Sequence, residues 1–304
     1  MVEPTDNGFT QAMKKVATGG YIQMSCGITD FNKKCVEAAE LLRPDIIFIQ
    51  IQQDGVMTLE TAKRLTEIGF TIQFSGDVRS EVPNDMKMLG SILNLTTFTN
   101  MTDVEKCISY GINSDYLEIG YDPERYKKWG IHLKTPEIVA HFNNYGSDKF
   151  PLSDYRIQVV NRLNQEFGNR FGVAGIGWVN SYGDFNHSQI QESIAYSNAK
   201  IGINISHFSY KRYSSDRMLR LMGSGLFCLS HHYPNIEDDF EIGKHLDVFD
   251  DGSIDELIYK CHYYLLNDKE RNNIALNGYN HVRENFTFDN MAENIILLYN
   301  KHKK

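Results

Sequence analysis

The chain is poor in the residues that would mark it as a small secreted or metal-stapled protein. Its 304 residues include 7 prolines and 5 cysteines. Cys26, Cys35, Cys107, Cys228 and Cys261 form no C-x-x-C pair, so they read as reduced thiols of a cytosolic protein rather than as a disulfide framework. No apolar run approaches the roughly 18 residues of a spanning helix, and no secretory leader is expected. The ten histidines include one adjacent pair, His231-His232, and no H-x-x-x-H spacing, which argues against a metal centre. There is no G-x-x-x-x-G-K-[ST] phosphate loop and no G-x-S-x-G elbow. Gly175-Ile176-Gly177 falls short of the G-x-G-x-x-G dinucleotide fingerprint. An Asp-x-Asp pair for a divalent ion is also missing. The net charge of −8 speaks against a broad basic surface for duplex nucleic acid, although a local basic groove survives such an average.

What is present is a regular alternation of short apolar strands and amphipathic helices. At 41% apolar and 12% aromatic residues, the length suits two domains with well-filled cores. Strands are expected at 45–52, 70–74, 93–97 and 116–119. Helices are expected at 9–16, 31–42, 58–67, 83–90 and 103–110, with Asp30 capping the second and Arg43-Pro44 closing it. A charged, irregular stretch, 122–136, suits an interdomain linker. The alternation then resumes with strands at 137–142, 171–174, 201–205 and 226–229. Helices follow at 153–167, 188–197, 215–222, 255–266, 269–284 and 288–301. The class is α/β, with domains expected at 1–130 and 131–285 and a closing helix at 286–304.

The most informative stretch is 199–230, AKIGINISHFSYKRYSSDRMLRLMGSGLFCLS. It reads as strand, loop, helix, strand. Ser215 is placed to cap the helix and Asp216 suits its first turn. Lys211, Arg212 and Arg217 lie at or before that helix start, and Arg220 follows on the same face. Cations there oppose the helix dipole unless an anion binds, so the cluster points to a phosphorylated ligand. In the first half, Asp77 and Arg79 beside Gly76 follow a strand directly, where open α/β sheets place ligands.

The runs PDIIFIQIQQDG, FSGDVR, YLEIGYDPERY, KFPLSDYR, GIGW, AKIGINISHF, YSSDRMLRLMGSG, IEDDFEIGKHL and ERNNIALNGYNHVRENFTFDN together resemble the CgeB-like (glycosyl transferase group 1-like) glycosyltransferases of the GT-B fold. They occur in family order from about Pro44 to Asn290. The resemblance implies two Rossmann-like domains facing a cleft, with the closing helix crossing back to the first. It implies a cytoplasmic glycosyltransferase that moves a sugar from a nucleoside-diphosphate sugar to a hydroxyl acceptor, with no metal or cofactor. Arg217, with Arg212 and Arg220, would neutralise the leaving diphosphate, and His207 would face the donor. Asn143, Asn144, Gly175, Gly177 and Trp178 would line the nucleotide and sugar pocket, together with Tyr210, Ser215, Asp216 and Glu237. Asp77 is the candidate base on the acceptor, although Arg79 beside it would weaken it in that role.

The large retaining GT-B families carry E-x7-E across this unit. Here Arg212 and Arg220 stand at that spacing, so ribose recognition by Glu and the stereochemical course are not carried over. That departure keeps a second reading open: a non-catalytic sugar-nucleotide or polysaccharide-binding protein on the same fold. A third, a glycosyltransferase acting on a DNA base, would need a basic groove, for which Lys14, Lys15, Lys33 and Lys34 are the close pairs. The acceptor is open among glycan, protein and modified base.

Overall fold

The computed structural model describes residues 8–19, 27–51, 53–183, 188–250 and 253–303. Two compact units emerge, Met1–Ile119 together with Phe288–Lys304, and Gly120–Thr287.

The first unit holds a parallel sheet in the order β1-β2-β3-β4, formed by Ile46–Ile49, Phe70–Ser75, Leu95–Phe98 and Ser114–Tyr116. β1 and β3 are apolar or β-branched throughout and β2 largely so, because both faces are covered, while the edge strand β4 reads Ser-Asp-Tyr. On one face, α2 (Ile28–Leu42), α3 (Leu59–Ile68) and α4 (Asn84–Gly90) bury Phe31, Ala39, Leu65 and Leu89 around Ile49. On the other, α11 (Phe288–His302) sets Met291, Ile295 and Leu298 against Ile72, Phe74 and Leu95, and α1 (Gly8–Val16) adds Phe9 and Met13. Lys15 pairs with Asp289 at 2.7 Å to join α1 to α11. α5 (Met101–Ser109) completes the crossovers, its first turn fixed by Asn100 Oδ1 accepting from Asp103 N at 2.8 Å.

Two sequence expectations shift. The second helix begins at Ile28 with Gly27 as its N-cap, which leaves Asp30 in the first turn rather than at the cap. The fourth strand forms two residues early, because Thr96 N already donates to Asn113 O at 2.9 Å. Cys26 lies outside the described residues.

The second unit holds a five-stranded parallel sheet in the order β6-β5-β7-β8-β9. Its strands are β5 Ile138–His141, β6 Phe171–Ala174, β7 Ile201–Asn204, β8 Phe227–His231 and β9 Asp247–Phe249. The last, a three-residue edge strand, was not expected, because so short a segment carries no alternation. The sheet is flanked by α6 (Ser153–Phe167), α7 (Gln189–Asn198), α8 (Asp216–Gly223), α9 (Ile254–Leu266) and α10 (Asp268–Asn285). Its core gathers Ile138, Val159, Leu163, Ile201, Phe227, Leu257 and Ile274. Residues 120–136 are part of this unit rather than a free linker. Tyr121 and Tyr126 are 2% and 1% exposed, and Trp129 Nε1 donates to Ser193 Oγ at 3.1 Å. Their aromatic side chains outweigh the charges between them.

β5 comes first in this unit and has β6 on one side and β7 on the other. The chain reverses direction across the sheet there, so the loops after β5 and β7 diverge and open a crevice at the strand C-termini.

Candidate functional site

The floor of the crevice is a buried polar lock. Asn204, which ends β7, donates from Nδ2 to Ser230 Oγ at 2.9 Å and accepts from Ser215 Oγ at 3.1 Å. Ser215 in turn caps α8, its Oγ accepting from Met218 N at 3.3 Å. All three side chains are buried, so the end of β7, the start of α8 and the end of β8 are fixed to one another.

Phe142, immediately after β5, is the centre of the site. Trp178 Nε1 donates to its carbonyl at 2.6 Å, and two guanidinium groups lie over its ring, Arg156 at 4.2 Å and Arg217 at 5.9 Å from the centroid. Arg217, in the first turn of α8, has no carboxylate partner among the described residues. Neither has Arg156. It projects from α6, is 2% exposed, and its Nε and Nη2 have no hydrogen-bond partner. Its Nη1 lies 2.6 Å from His207 Nδ1 and also contacts Nε2. Burial, and then the charge of Arg217, push the Arg156 pKa down to about 8, which leaves it cationic at neutral pH. A buried guanidinium without an anion is costly. Arg217 beside it is half-buried, so two cations without a carboxylate gather at the C-terminal ends of β5 and β7.

His207 follows β7 and takes the opposite consequence. Burial and the charges of Arg156 and Arg217 lower its pKa to about 3, so the imidazole is neutral and accepts from the guanidinium. Phe150 packs on it with ring centroids 4.4 Å apart, and Tyr145 at 5.4 Å. Phe208 and Tyr210 continue this aromatic wall, at 5.2 Å from each other.

The other two arginines expected at the diphosphate are taken up by carboxylates. Arg212 makes a two-pronged contact to Asp239, Nε to Oδ2 at 2.9 Å and Nη2 to Oδ1 at 2.6 Å. Its backbone sits in the left-handed region at φ 52°, held there by Arg212 N donating to Pro234 O at 2.7 Å. Arg220 contacts Asp216 and lies 3.9 Å from Glu192, stacked over Tyr126. Both guanidinium groups thus have carboxylate counter-ions in this structure. Asp216 belongs with them. Its Oδ1 caps Arg217 N at 2.8 Å while Oδ2 takes Arg220.

The glycine and asparagine motifs prove to be a clamp between two loops. Asn144 N donates to Ile176 O at 2.8 Å, and Ile176 N to Asn143 Oδ1 at 2.9 Å. A Cβ at Gly175, φ 133°, would lie 2.5 Å from Phe142 O, and one at Gly177, φ 84°, would lie 2.2 Å from Asn144 O. Glycine is needed there for close approach of backbone to backbone. Trp178 packs on the core. These residues fix Phe142 and so act on the site from behind. Glu237 is exposed on a short 3-10 helix, where its own backbone N–H and His232 hold its carboxyl below the usual range.

Behind the site lies a network that sequence reading missed. Glu192 on α7 accepts from Tyr126 OH at 2.6 Å and Tyr196 OH at 3.1 Å, and lies 3.6 Å from His141. Burial opposes its charge, yet His141, Arg220 and Tyr126 bring its pKa down to about 2. His141, buried and stacked on Tyr196 at 4.4 Å, is lowered by burial.

Arg156 was legible only as part of KFPLSDYR. The available signal was its place among Val159, Val160, Leu163 and Phe167 on the buried face of α6, where an arginine is out of pattern. In the first unit, Asp77 is exposed just beyond β2, its carbonyl accepting from Ser75 Oγ at 3.0 Å. Of the lysines that a nucleic-acid reading requires, Lys15 is paired with Asp289 and Lys33 with Glu37. No helix among the described residues is long and apolar enough to cross a membrane.

Residues 156–296, just under half of the chain, match a family described as glycosyl transferase-like. No curated protein matches the sequence. Among solved structures, it is similar to HepE of Anabaena in complex with UDP-glucose, at 13% identity over 89% of this chain and 82% of that one, with a TM-score of 0.62. It is similar to a glycosyltransferase of Rickettsia africae at 11% identity, covering 98% and 96% of the two chains with a TM-score of 0.61. A sucrose-phosphate synthase of Thermosynechococcus elongatus matches at 12% identity over 92% and 80%, with a TM-score of 0.56. The chain thus has the fold of the GT-B glycosyltransferases, and residues 156–296 carry a glycosyl transferase-like sequence pattern within it.

Proposed function

We propose that the protein is a glycosyltransferase that moves a sugar from a nucleoside-diphosphate sugar to a hydroxyl acceptor. The observation that carries this reading is the pair Arg156 and Arg217, both without carboxylates, at the β5/β7 switch point. The α8 N-terminus, capped by Ser215, adds backbone N–H groups to the same anion site. In this scheme the diphosphate accumulates charge as its bond to the sugar breaks, and the two guanidiniums oppose that charge in a site partly screened from water. HepE, bound to UDP-glucose in its own structure, supports the donor class. The cations are supplied by the chain itself, so transfer is expected to persist in EDTA. In the first unit, Asp77 is the carboxylate proposed to take the acceptor proton.

The test is a calorimetric and thermal-shift screen of UDP, GDP, ADP, TDP and CMP and their sugars, with wild-type protein and Arg217→Ala. One diphosphate series is expected to bind and to lose that binding in the variant. Absence of binding across all of them would sink the donor-site reading. Asp77→Asn is expected to lower kcat by about a hundredfold, the usual contribution of a general base, with KM for the donor unchanged.

A further inference from the structure

His207 stands where three features meet. Arg156 of α6 donates to its ring, Arg217 of α8 acts on it through charge, and Tyr145 and Phe150 of the loop after β5 cover it. Its own carbonyl accepts from Leu152 N at 3.1 Å, which anchors the loop. Burial, Arg156 and Arg217 act on its titration, and no carboxylate is among them. Neutral imidazole can accept from Arg156 at one ring nitrogen, whereas imidazolium is a donor at both. The Arg156 contact and a proton on that nitrogen therefore exclude one another.

We propose that His207 couples proton uptake to occupation of the anion site: it is neutral in the free protein and becomes imidazolium when a diphosphate draws Arg156 and Arg217 onto itself. The proposal rests on the donor-diphosphate reading above and adds a third cation to that site. The balance is simple. One proton is taken from solvent per diphosphate bound, and Arg156 transfers its hydrogen bond from the ring to an anionic oxygen. Burial still disfavours the imidazolium, but two repelling charges are replaced by an attracting one. The proton then lies beside the leaving phosphate, where negative charge develops.

The sign follows from linkage. With His207 at about 3 in the free protein and near an ordinary value of about 6.5 in the complex, affinity gains from acidification below about pH 6.5. UDP and inorganic pyrophosphate titrate themselves, so His207→Gln is the reference. The ratio of Kd for His207→Gln to Kd for wild type is expected to be about tenfold larger at about pH 5.5 than at about pH 7.5. Calorimetry at about pH 5.5 in buffers of different ionisation enthalpy should show wild type taking up about one proton more than the variant. Should the variant not fold, NMR titration of the ring Cε1–H signals in wild type decides alone. One histidine of the ten should move from a midpoint near 3 to about 6.5 on addition of UDP. Binding of UDP with a pH-independent Kd ratio and no excess proton would overturn the coupling while leaving the donor site intact. Failure of wild type to bind pyrophosphate or any of UDP, GDP, ADP, TDP and CMP would overturn both.

Discussion

Four arginines around one crevice divide into two pairs with opposite fates. Arg212 and Arg220, conspicuous in the sequence beside a helix start, face Asp239, Asp216 and Glu192. Arg156 and Arg217 face an aromatic ring, an imidazole and each other. A guanidinium that has a carboxylate is already neutralised and holds loops together. Arg156, kept dry without a carboxylate, has lost hydration with nothing in return and regains that loss when an anion arrives, while the half-buried Arg217 adds its charge beside it. Position near a helix N-terminus does not separate the pairs; the carboxylates opposite them do.

The largest effect expected from this contrast is on turnover. Arg217→Ala should lower kcat/KM by about a hundredfold or more, the scale of removing a charge-stabilising donor, with the melting temperature unchanged. Next is a reversal of the usual cost of a core substitution. Arg156→Met keeps the volume and removes a buried, unpaired charge, so the free protein should melt at the same or a higher temperature while diphosphate affinity falls at least about tenfold. A lower melting temperature with affinity retained would mean that Arg156 is scaffold and would erase the distinction between the pairs. Asp239→Ala, on the other side, strands Arg212. It should destabilise by about 1–3 kcal/mol and change nucleotide affinity much less than the first two variants, as read by thermal melts and calorimetry.

The smallest effect is at acid pH. Glu192, 13% exposed at its side chain, has its pKa depressed to about 2. It therefore contributes stability that is present above the unfolded value of about 4.3 and is lost as pH falls through about 2. Glu192→Gln should narrow the difference in stability between neutral and acid pH, measured by denaturant unfolding at each.

The βα order and most element positions were legible because each strand or helix carries its own pattern. Ile201–Asn204 alternates isoleucine with small or polar residues, and Ser215 followed by Asp216 is a helix start that needs no distant partner. The carboxylate partners of Arg212 and Arg220 were not equally legible. Asp239 lies 27 residues beyond Arg212, so no local pattern announces that pair, whereas Asp216 stands four residues before Arg220 on the same helix and only its second carboxylate, Glu192, comes from a different one. Asn143, Asn144, Gly175 and Gly177 were expected to line the nucleotide and sugar pocket. The clamp of one loop on another that they form depends on two loops that only the sheet order brings together.

The sequence by itself determined the α/β class, the parallel order of short buried strands and the concentration of positive charge before α8, because periodicity, capping and composition act over a few residues. Only the tertiary structure decided that Phe288–His302 packs on the first unit's sheet, that residues 120–136 belong to the second unit, and which arginines remain without a counter-ion. Those outcomes depend on burial and on carboxylates contributed from distant elements. The cost of holding a charge is set by the dielectric and partners around it, which exist only once the chain has folded.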